Sequence, residues 1–115
     1  MHELSIALSI VDGALEELER HGADRAEAVH LRLGRLSGVD REALLFSYRL
    51  ACEGTKLNSS RLQIEDVEVT IFCPSCGTER STGAFPVLTC ADCGTVAERL
   101  IHGQELEITA MEIAA

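Results

Sequence analysis

The chain has 115 residues, with three phenylalanines, one tyrosine and no tryptophan, so at most one small, mainly aliphatic core is expected. Its formal net charge of −9 at pH 7 works against binding to the phosphates of DNA or RNA. No apolar run approaches the roughly 20 residues of a membrane-spanning helix, and no targeting segment is visible, so the cytoplasm is the expected compartment.

A helix and a strand are predicted for the first third of the chain. Apolar residues recur at the spacing of one helix face, and Gly22 stands where such a helix commonly ends. The face expected to enter the core consists of Leu4, Leu8, Val11, Leu15 and Leu18, and it is widened by Ile6, Ile10 and Ala14. Residues 28–33 then alternate between apolar and polar side chains, which indicates a strand with one solvated face.

The middle of the chain predicts a second helix and further strands. A helix that ends at Gly54 can be capped by Ser37, in a loose capping box with Asp40, or by Asp40 itself. Cys52 lies on the buried face of this helix as a small apolar residue and not as a metal ligand. The alternating stretch after it changes phase at residues 65–66, which indicates that the chain leaves the first sheet there. Residues 106–110 alternate again and are expected to rejoin that sheet.

The most specific motif is a pair of cysteine knuckles, Cys73-Pro-Ser-Cys76-Gly and Cys90-Ala-Asp-Cys93-Gly, separated by thirteen residues. In each knuckle two thiolates can reach one ion, and the glycine can adopt the positive φ that closes the loop. Two such loops supply the four tetrahedral sulfurs of a structural zinc site. Disulfides and a redox motif fit less well, because no secretion signal is visible and redox Cys-x-x-Cys motifs normally occur singly.

Met1, His2 and Glu3 form a second candidate metal site. The Met1 amine, the His2 amide nitrogen and His2 Nδ1 can bind one ion in a plane, which is the arrangement that Ni(II) and Cu(II) prefer. The fourth position can be filled by the Glu3 amide or carboxylate, or by a donor such as His102. Because a helix is predicted to start almost at once, this chain end is expected to be held in place.

Together these elements predict an α+β fold in two parts. Residues 1–70 and 104–115 are expected to form a domain with a small three-stranded sheet and two helices on one face. Residues 71–103 are expected to form an inserted, zinc-ribbon-like domain with four cysteine ligands. That domain is too small to fold by apolar burial, and metal binding contributes on the order of 10–16 kcal/mol to folding in comparable zinc modules.

Four groups of residues form a recognisable pattern along the chain. They are Met1-His2-Glu3-Leu4-Ser5, Gly34-Arg-Leu-Ser-Gly38-Val39 with Leu45-Phe46 and Gly54, the two knuckles, and Gly103-Gln-Glu105-Leu106-Glu107-Ile108. Together they resemble the HypA/HybF family of hydrogenase nickel-incorporation proteins, over essentially the whole chain. The resemblance implies an α/β nickel domain with a zinc domain inserted before its last strand.

The resemblance also implies a function, that of a nickel metallochaperone and not an enzyme. The implied client is the large subunit of [NiFe] hydrogenase, with urease in some members, and the implied partner is a nickel-binding GTPase. The resemblance implies that His2 binds nickel, with Met1 and Glu3 contributing through their backbone. It also implies that the four knuckle cysteines bind zinc. The residues themselves agree, since no nucleophile–base set and no phosphate-binding glycine loop is visible.

Two other classes of protein share part of this pattern. A zinc-ribbon module for protein interaction or transcription would use the knuckles without nickel, and binding to nucleic acid would distinguish it. A rubredoxin-like electron carrier would bind iron at the same four sulfurs, and colour with a reversible redox wave would distinguish it.

Overall fold

The first half of the chain forms two helices and a strand in the predicted order. The structure is a computed structural model that describes residues 2–83 and 87–114. Helix α1 spans Glu3–Arg20, strand β1 spans Ala26–Gly34 and helix α2 spans Arg41–Cys52. The remaining strands are β2 (Arg61–Val67), β3 (Thr70–Cys73), β4 (Thr78–Ser81), β5 (Arg99–His102) and β6 (Leu106–Ile113).

These strands form two sheets of three strands each. In the first sheet β1 lies between β2 and β6, and in the second β3 lies between β4 and β5. Strand β3 pairs antiparallel with both of its neighbours. The predicted α+β fold is confirmed, with its three-stranded sheet, its two helices and the return of the last strand to the first sheet.

The chain divides into two compact units. Unit 1 comprises Met1–Arg32, Gly38–Glu65 and Glu107–Ala115, and unit 2 comprises Leu33–Ser37 and Asp66–Leu106. Both helices therefore belong to unit 1, whereas both knuckles belong to unit 2. Within the described residues, no helix has the length and apolar character that would be needed to cross a membrane.

Unit 1 is stabilised by an aliphatic core to which both helices and the first sheet contribute. Its fully or almost fully buried leucines are Leu18 on α1, Leu31 on β1, Leu44 on α2 and Leu57 after α2. Complete burial of one such side chain contributes about 1.5–3 kcal/mol. Cys52 is buried in this core, in agreement with its prediction as a small apolar residue.

The buried face of α1 agrees with the predicted one only in part. The residues that it buries are Ala7, Ile10, Val11, Ala14 and Leu18, and all of them except Ala7 were predicted. Leu4 and Leu8 are each 47% exposed, so their placement in the core was wrong. The prediction followed the leucines, but an α-helix makes a turn every 3.6 residues, and the stripe through Ala7 and Leu18 leaves Leu4 and Leu8 to one side.

Two features of the strands also differ from the prediction. Strand β2 continues through the change of phase to Val67 and does not end there, although the boundary between the two units lies between Glu65 and Asp66, as predicted. Strand β5 was not predicted at all. Its four residues are too few to show an alternation, and only their pairing with β3 identifies them as a strand.

The ends of the helices behave as the sequence predicts. The side chain of Asp40 caps α2 by accepting a hydrogen bond of 2.9 Å from the Ala43 amide. At the C-terminal end of α1, His21 Nδ1 lies 2.9 Å from the carbonyl oxygen of Glu17, which also accepts a hydrogen bond from the His21 amide. The Asp40 contact satisfies a backbone N–H that the start of a helix leaves without an intrahelical partner.

Candidate metal centres

Four sulfur atoms converge in unit 2. The Sγ atoms of Cys73, Cys76, Cys90 and Cys93 all lie within 4.8 Å of one another. Cys93 Sγ is 3.5 Å from Cys73 Sγ and 3.8 Å from Cys76 Sγ. With zinc–sulfur bonds of about 2.3 Å, the edges of a tetrahedron of sulfurs would be roughly 3.8 Å long. Donor type, number and spacing therefore fit a zinc ion.

Backbone turns of the same kind shape both knuckles. The amide of Gly77 donates to the Cys73 carbonyl at 2.8 Å, and the amide of Gly94 donates to the Cys90 carbonyl at 2.9 Å. Both glycines have the predicted positive φ, of 70° and 78°. The Cys76 amide also points at Cys73 Sγ, 3.4 Å away. These local contacts place the sulfurs of each knuckle on one side of its loop.

The four cysteines differ in their exposure to solvent. Cys73 and Cys90 are buried, and together with Ile71 they form a small cluster. Cys76 is partly exposed and Cys93 is exposed. All five cysteines of the chain are free thiols. The centre therefore has a buried side that is held by packing and an open side that depends on polar contacts.

Two hydroxyl groups support the exposed sulfur of Cys93. Cys93 Sγ lies 3.2 Å from Thr95 Oγ1, which lies 3.0 Å from Ser75 Oγ. Hydrogen bonds with the hydroxyl and the backbone of Thr95 are the main reason that the pKa of the Cys93 thiol is lowered to about 6. This thiolate is therefore favoured even before any positive charge of a metal ion acts on it.

The other partly exposed sulfur, that of Cys76, has a charged partner. The Arg80 guanidinium hydrogen bonds to it and lowers the pKa of the Cys76 thiol, but hydrogen bonds with the sulfurs of Cys73 and Cys93 outweigh this effect. The resulting pKa is about 11, because neighbouring thiolates disfavour a further negative charge. A divalent cation among the sulfurs removes this opposition, and for this reason thiolate sites bind metal with release of protons.

The candidate nickel residues His2 and Glu3 lie at the start of α1. His2 is the N-cap residue, with an extended backbone and an exposed side chain that makes no capping hydrogen bond. Its carbonyl accepts a hydrogen bond of 3.2 Å from the Ile6 amide, which begins the helix. Met1, the third residue of this candidate site, lies outside the described residues.

The chain end is attached to the second helix through Glu3. The Glu3 carboxylate accepts a hydrogen bond of 3.0 Å from the backbone amide of Asp40, the residue that caps α2. This bond is the main cause of a lowered pKa of Glu3, and it connects the first turns of the two helices of unit 1. The position immediately after His2 is therefore anchored.

His102, the remaining candidate nickel ligand, ends β5 in unit 2 and is held by carboxylates. Its Nδ1 lies 2.8 Å from Glu105 Oε2, and its Nε2 lies 4.0 Å from Glu79 Oε2. The other Glu105 oxygen accepts a hydrogen bond of 2.8 Å from the Gly103 amide. The hydrogen bond with His102 is the main reason that the pKa of Glu105 is lowered to about 2. Only Nε2 of the ring is therefore free of a short hydrogen bond.

Sequence reasoning named the four cysteines but missed the polar residues around them. Ser75 lies between the two cysteines of the first knuckle, and Thr95 lies two residues after the last cysteine of the second. A hydroxyl residue so close to a cysteine could have been recognised in the sequence as a hydrogen-bond partner of the sulfur. Arg80 is four residues beyond Cys76, and only the pairing of β4 with β3 shows that it turns back towards the sulfurs. Glu105 was part of a noted motif, but its contact with His102 was not foreseen.

The fold and the sulfur cluster define a class, that of a small metal-binding α+β protein with a thiolate centre in its second unit. A family profile described as "Hydrogenase/urease nickel incorporation, metallochaperone, hypA" matches residues 1–113. The chain belongs to this family, and its function is that of a nickel metallochaperone in hydrogenase maturation with a structural zinc site. This result sets aside the zinc-ribbon and electron-carrier alternatives.

Curated relatives carry the name "Hydrogenase maturation factor HypA". The relative from Roseiflexus sp. (strain RS-1) is 45% identical over 112 residues, which are 97% of this chain and 91% of the relative. The relative from Chloroflexus aggregans is 46% identical over 112 residues, with 97% of this chain and 98% of the relative covered. Each alignment therefore covers both knuckles and nearly all of both units.

Two solved structures share the fold. One, described as the solution structure of HypA protein, has a TM-score of 0.73 and 22% identity, with 99% of this chain and 97% of that chain covered. The other is described as the solution structure of the Ni metallochaperone HypA from Helicobacter pylori. It has a TM-score of 0.68 and 23% identity, with 100% of this chain and 99% of that chain covered. At this level of identity the two structures establish the fold.

Proposed function

We propose that the chain carries Ni(II) at its amino end and holds zinc with the four knuckle cysteines. The proposed nickel ligands are the Met1 amine, the amide and Nδ1 of His2, and Glu3. We assign nickel to residues 1–70 and 104–115 and zinc to residues 71–103. The observation that carries the nickel assignment is the anchoring of His2 and Glu3 at the first turn of α1.

The position of these residues makes their amide nitrogens available to a metal. The first N–H groups of an α-helix have no partner inside the helix. His2 is the N-cap and Glu3 is the first helical residue, so neither amide proton is needed for a helical hydrogen bond. A planar Ni(II) ion can therefore replace these protons without unwinding α1.

The fourth nickel donor is assigned to the backbone of Glu3. One oxygen of its carboxylate already accepts a hydrogen bond from Asp40, whereas its amide nitrogen adjoins the His2 chelate. His102 is the second choice, because its Nδ1 is taken by Glu105 and only Nε2 is left for a metal. A site that is formed mostly by one chain end leaves the ion accessible, which suits a protein that must release it.

The proposal extends to partners and compartment. We assign a nickel-binding GTPase as the partner and the large subunit of [NiFe] hydrogenase as the client, with urease as a second client. The energy for transfer is assigned to the GTPase, and the chain itself is not an enzyme. Its net charge of −9 favours basic protein surfaces over nucleic acids and membrane surfaces. The expected compartment is the cytoplasm.

Calorimetry of Ni(II) with the zinc-loaded protein tests the nickel assignment. His2→Ala removes the imidazole from the chelate and is expected to abolish one-to-one nickel binding. His21→Ala is the matched control, because it removes another exposed histidine from the opposite end of α1. We expect the control to bind nickel like the wild type, and both variants to retain one zinc per chain.

Two outcomes would contradict these assignments separately. Wild-type nickel affinity in His2→Ala would move the nickel site away from the chain end. A folded wild-type protein without zinc would refute the assignment of the four cysteines, whatever the nickel result.

A further inference from the structure

Arg80 occupies a distinctive position next to the sulfur cluster. It lies on β4, the strand that follows the first knuckle, and in the antiparallel pairing with β3 it stands opposite the buried Ile71. From there its guanidinium hydrogen bonds to the sulfur of Cys76. Its Nε lies 3.0 Å from Oδ2 of Asp92, a residue of the second knuckle. One side chain therefore contacts both knuckles.

The shielding of Arg80 distinguishes it from an ordinary surface arginine. Its Nε atom is inaccessible to solvent, and within the described residues it makes no well-aligned hydrogen bond, although the Asp92 carboxylate lies close. The side chain as a whole is 38% exposed. By contrast, the side chain of Arg35, also in unit 2, is 62% exposed and forms an ion pair with the exposed Glu68. The geometry thus fixes the Arg80 charge beside the sulfurs.

The position of Arg80 matters because a zinc centre with four thiolates is negatively charged. Four thiolates around one divalent cation leave a net charge of −2 on the centre, in a chain whose overall formal charge is already −9. A guanidinium at hydrogen-bond range offsets part of that charge, and charge-assisted hydrogen bonds are about twice as strong as neutral ones. The benefit falls on Cys76, which is one of the two sulfurs that are not buried.

We propose that Arg80 is a positioning residue that retains zinc by holding the Cys76 thiolate and joining the two knuckles through Asp92. This inference rests on the proposed zinc ligation by the four cysteines. Loss of zinc begins when one sulfur leaves the ion, and Cys76 is one of the two sulfurs that solvent can reach. Arg80 therefore slows the detachment of Cys76 from the ion.

The rate of zinc transfer to an excess of a chromogenic chelator tests this role in the full-length, zinc-loaded chain. Groups that support metal ligands typically change metal affinity by about 10–100-fold, so Arg80→Gln is expected to release zinc at least about 10-fold faster. Arg80→Lys retains the charge but loses the planar fork, and an intermediate rate is expected. Arg35→Gln removes the same charge from the same unit and is expected to release zinc like the wild type.

A spectroscopic measurement separates this role from a purely structural one. In protein loaded with Co(II), the energy of the thiolate-to-cobalt absorption band rises when a positive charge stabilises the thiolate electrons. Arg80→Gln is therefore expected to shift that band to longer wavelength. Arg80→Lys is expected to restore most of the shift, and Arg35→Gln to leave the band unchanged. If Arg80→Gln does not fold, Arg80→Lys is compared with the wild type instead. Faster zinc release and a shifted cobalt band in Arg80→Lys would then support the proposal, and wild-type values of both would overturn it.

Several results would overturn the proposal. Zinc release from Arg80→Gln at the wild-type rate would do so, and so would equal acceleration in Arg80→Gln and Arg35→Gln. An unchanged cobalt band in Arg80→Gln would reduce Arg80 to a structural residue and would also overturn it. A wild-type protein that folds without zinc would instead refute the underlying ligand assignment, which is a distinguishable failure.

Discussion

The two units of the chain are stabilised in different ways. Unit 1 buries leucines from α1, β1 and α2 in one aliphatic core. In unit 2 the cluster around the sulfurs has, among the described residues, one buried aliphatic residue, Ile71, beside Cys73 and Cys90. We therefore expect apolar burial to stabilise the first unit, and the second to depend on its metal. Under the proposed assignments, zinc fills a closed, structural centre, whereas nickel binds at an open, exposed site at the amino end.

Replacement of a buried knuckle cysteine should have the largest effect. Cys90→Ala is expected to abolish zinc binding and to unfold strands β3, β4 and β5 while leaving α1 and α2 folded. The expected loss is a large part of the roughly 10–16 kcal/mol that zinc supplies to comparable modules. Zinc analysis and residue-resolved hydrogen exchange measure the two effects.

Cys52 offers a matched control for this replacement. Cys52 and Cys90 are both 2% exposed, but Cys52 lies in the core of unit 1 and not among the sulfurs. Cys52→Ala is expected to lower the stability of unit 1 modestly and to retain one zinc. A zinc-bound, fully folded Cys90→Ala protein would refute the claim that unit 2 depends on its metal.

A cavity in the core of unit 1 should destabilise the helices and leave the zinc centre intact, which is the opposite of the effect expected for Cys90→Ala. Leu18 is completely buried, and Leu18→Ala is expected to cost about 2–5 kcal/mol of unfolding free energy while zinc remains bound. Leu8→Ala, on the same helix but with Leu8 47% exposed, is expected to cost no more than about 0.5 kcal/mol. Denaturant unfolding followed by helix circular dichroism measures both. Loss of zinc in Leu18→Ala would show that the two units are not independent.

Glu105 should contribute to unit 2 in a pH-dependent manner. The loss of its charge-assisted bond in Glu105→Gln is expected to cost about 1–2 kcal/mol at neutral pH, seen as faster exchange of the Gly103 amide. The pKa of Glu105 is lowered to about 2 in the folded chain. Its contribution is therefore complete above its ordinary pKa of about 4.3 and disappears as the pH falls towards 2. A difference between variant and wild type that is independent of pH would contradict this explanation.

Control variants apart, the smallest effect is expected at Tyr48 in unit 1. Its hydroxyl lies 2.7 Å from Ser60 Oγ, which also donates to the Leu57 carbonyl at 2.6 Å. In Tyr48→Phe, Ser60 keeps its second partner, so the expected loss is about 0.5–1.5 kcal/mol with no change in zinc or nickel binding. Thermal unfolding measures this loss, and an effect as large as that of Leu18→Ala would be inconsistent with it.

The sequence predicted best those features that depend on neighbouring residues. The knuckle spacing identified all four sulfurs, because each pair lies within one loop, and Asp40 was identified as a cap by its place before α2. Features that depend on distant residues were not predicted. A Cβ atom at Gly34 would overlap the Gly103 carbonyl, and no local pattern shows that these two motifs meet. For the same reason Arg80 and Glu105 became visible as partners of Cys76 and His102 only in the folded chain.

The most direct test of the account is nickel binding by a chain whose amino terminus has been displaced. Two residues added before Met1 convert its amine into an amide and move the free terminus away from His2, but they leave both cores and both knuckles unchanged. The same two residues added at the carboxyl end are the control. Native mass spectrometry with calorimetry is expected to show one zinc in both proteins, and one tightly bound nickel only in the control. Equal nickel binding by both proteins would contradict a chain-end site and direct the search to the interior histidines.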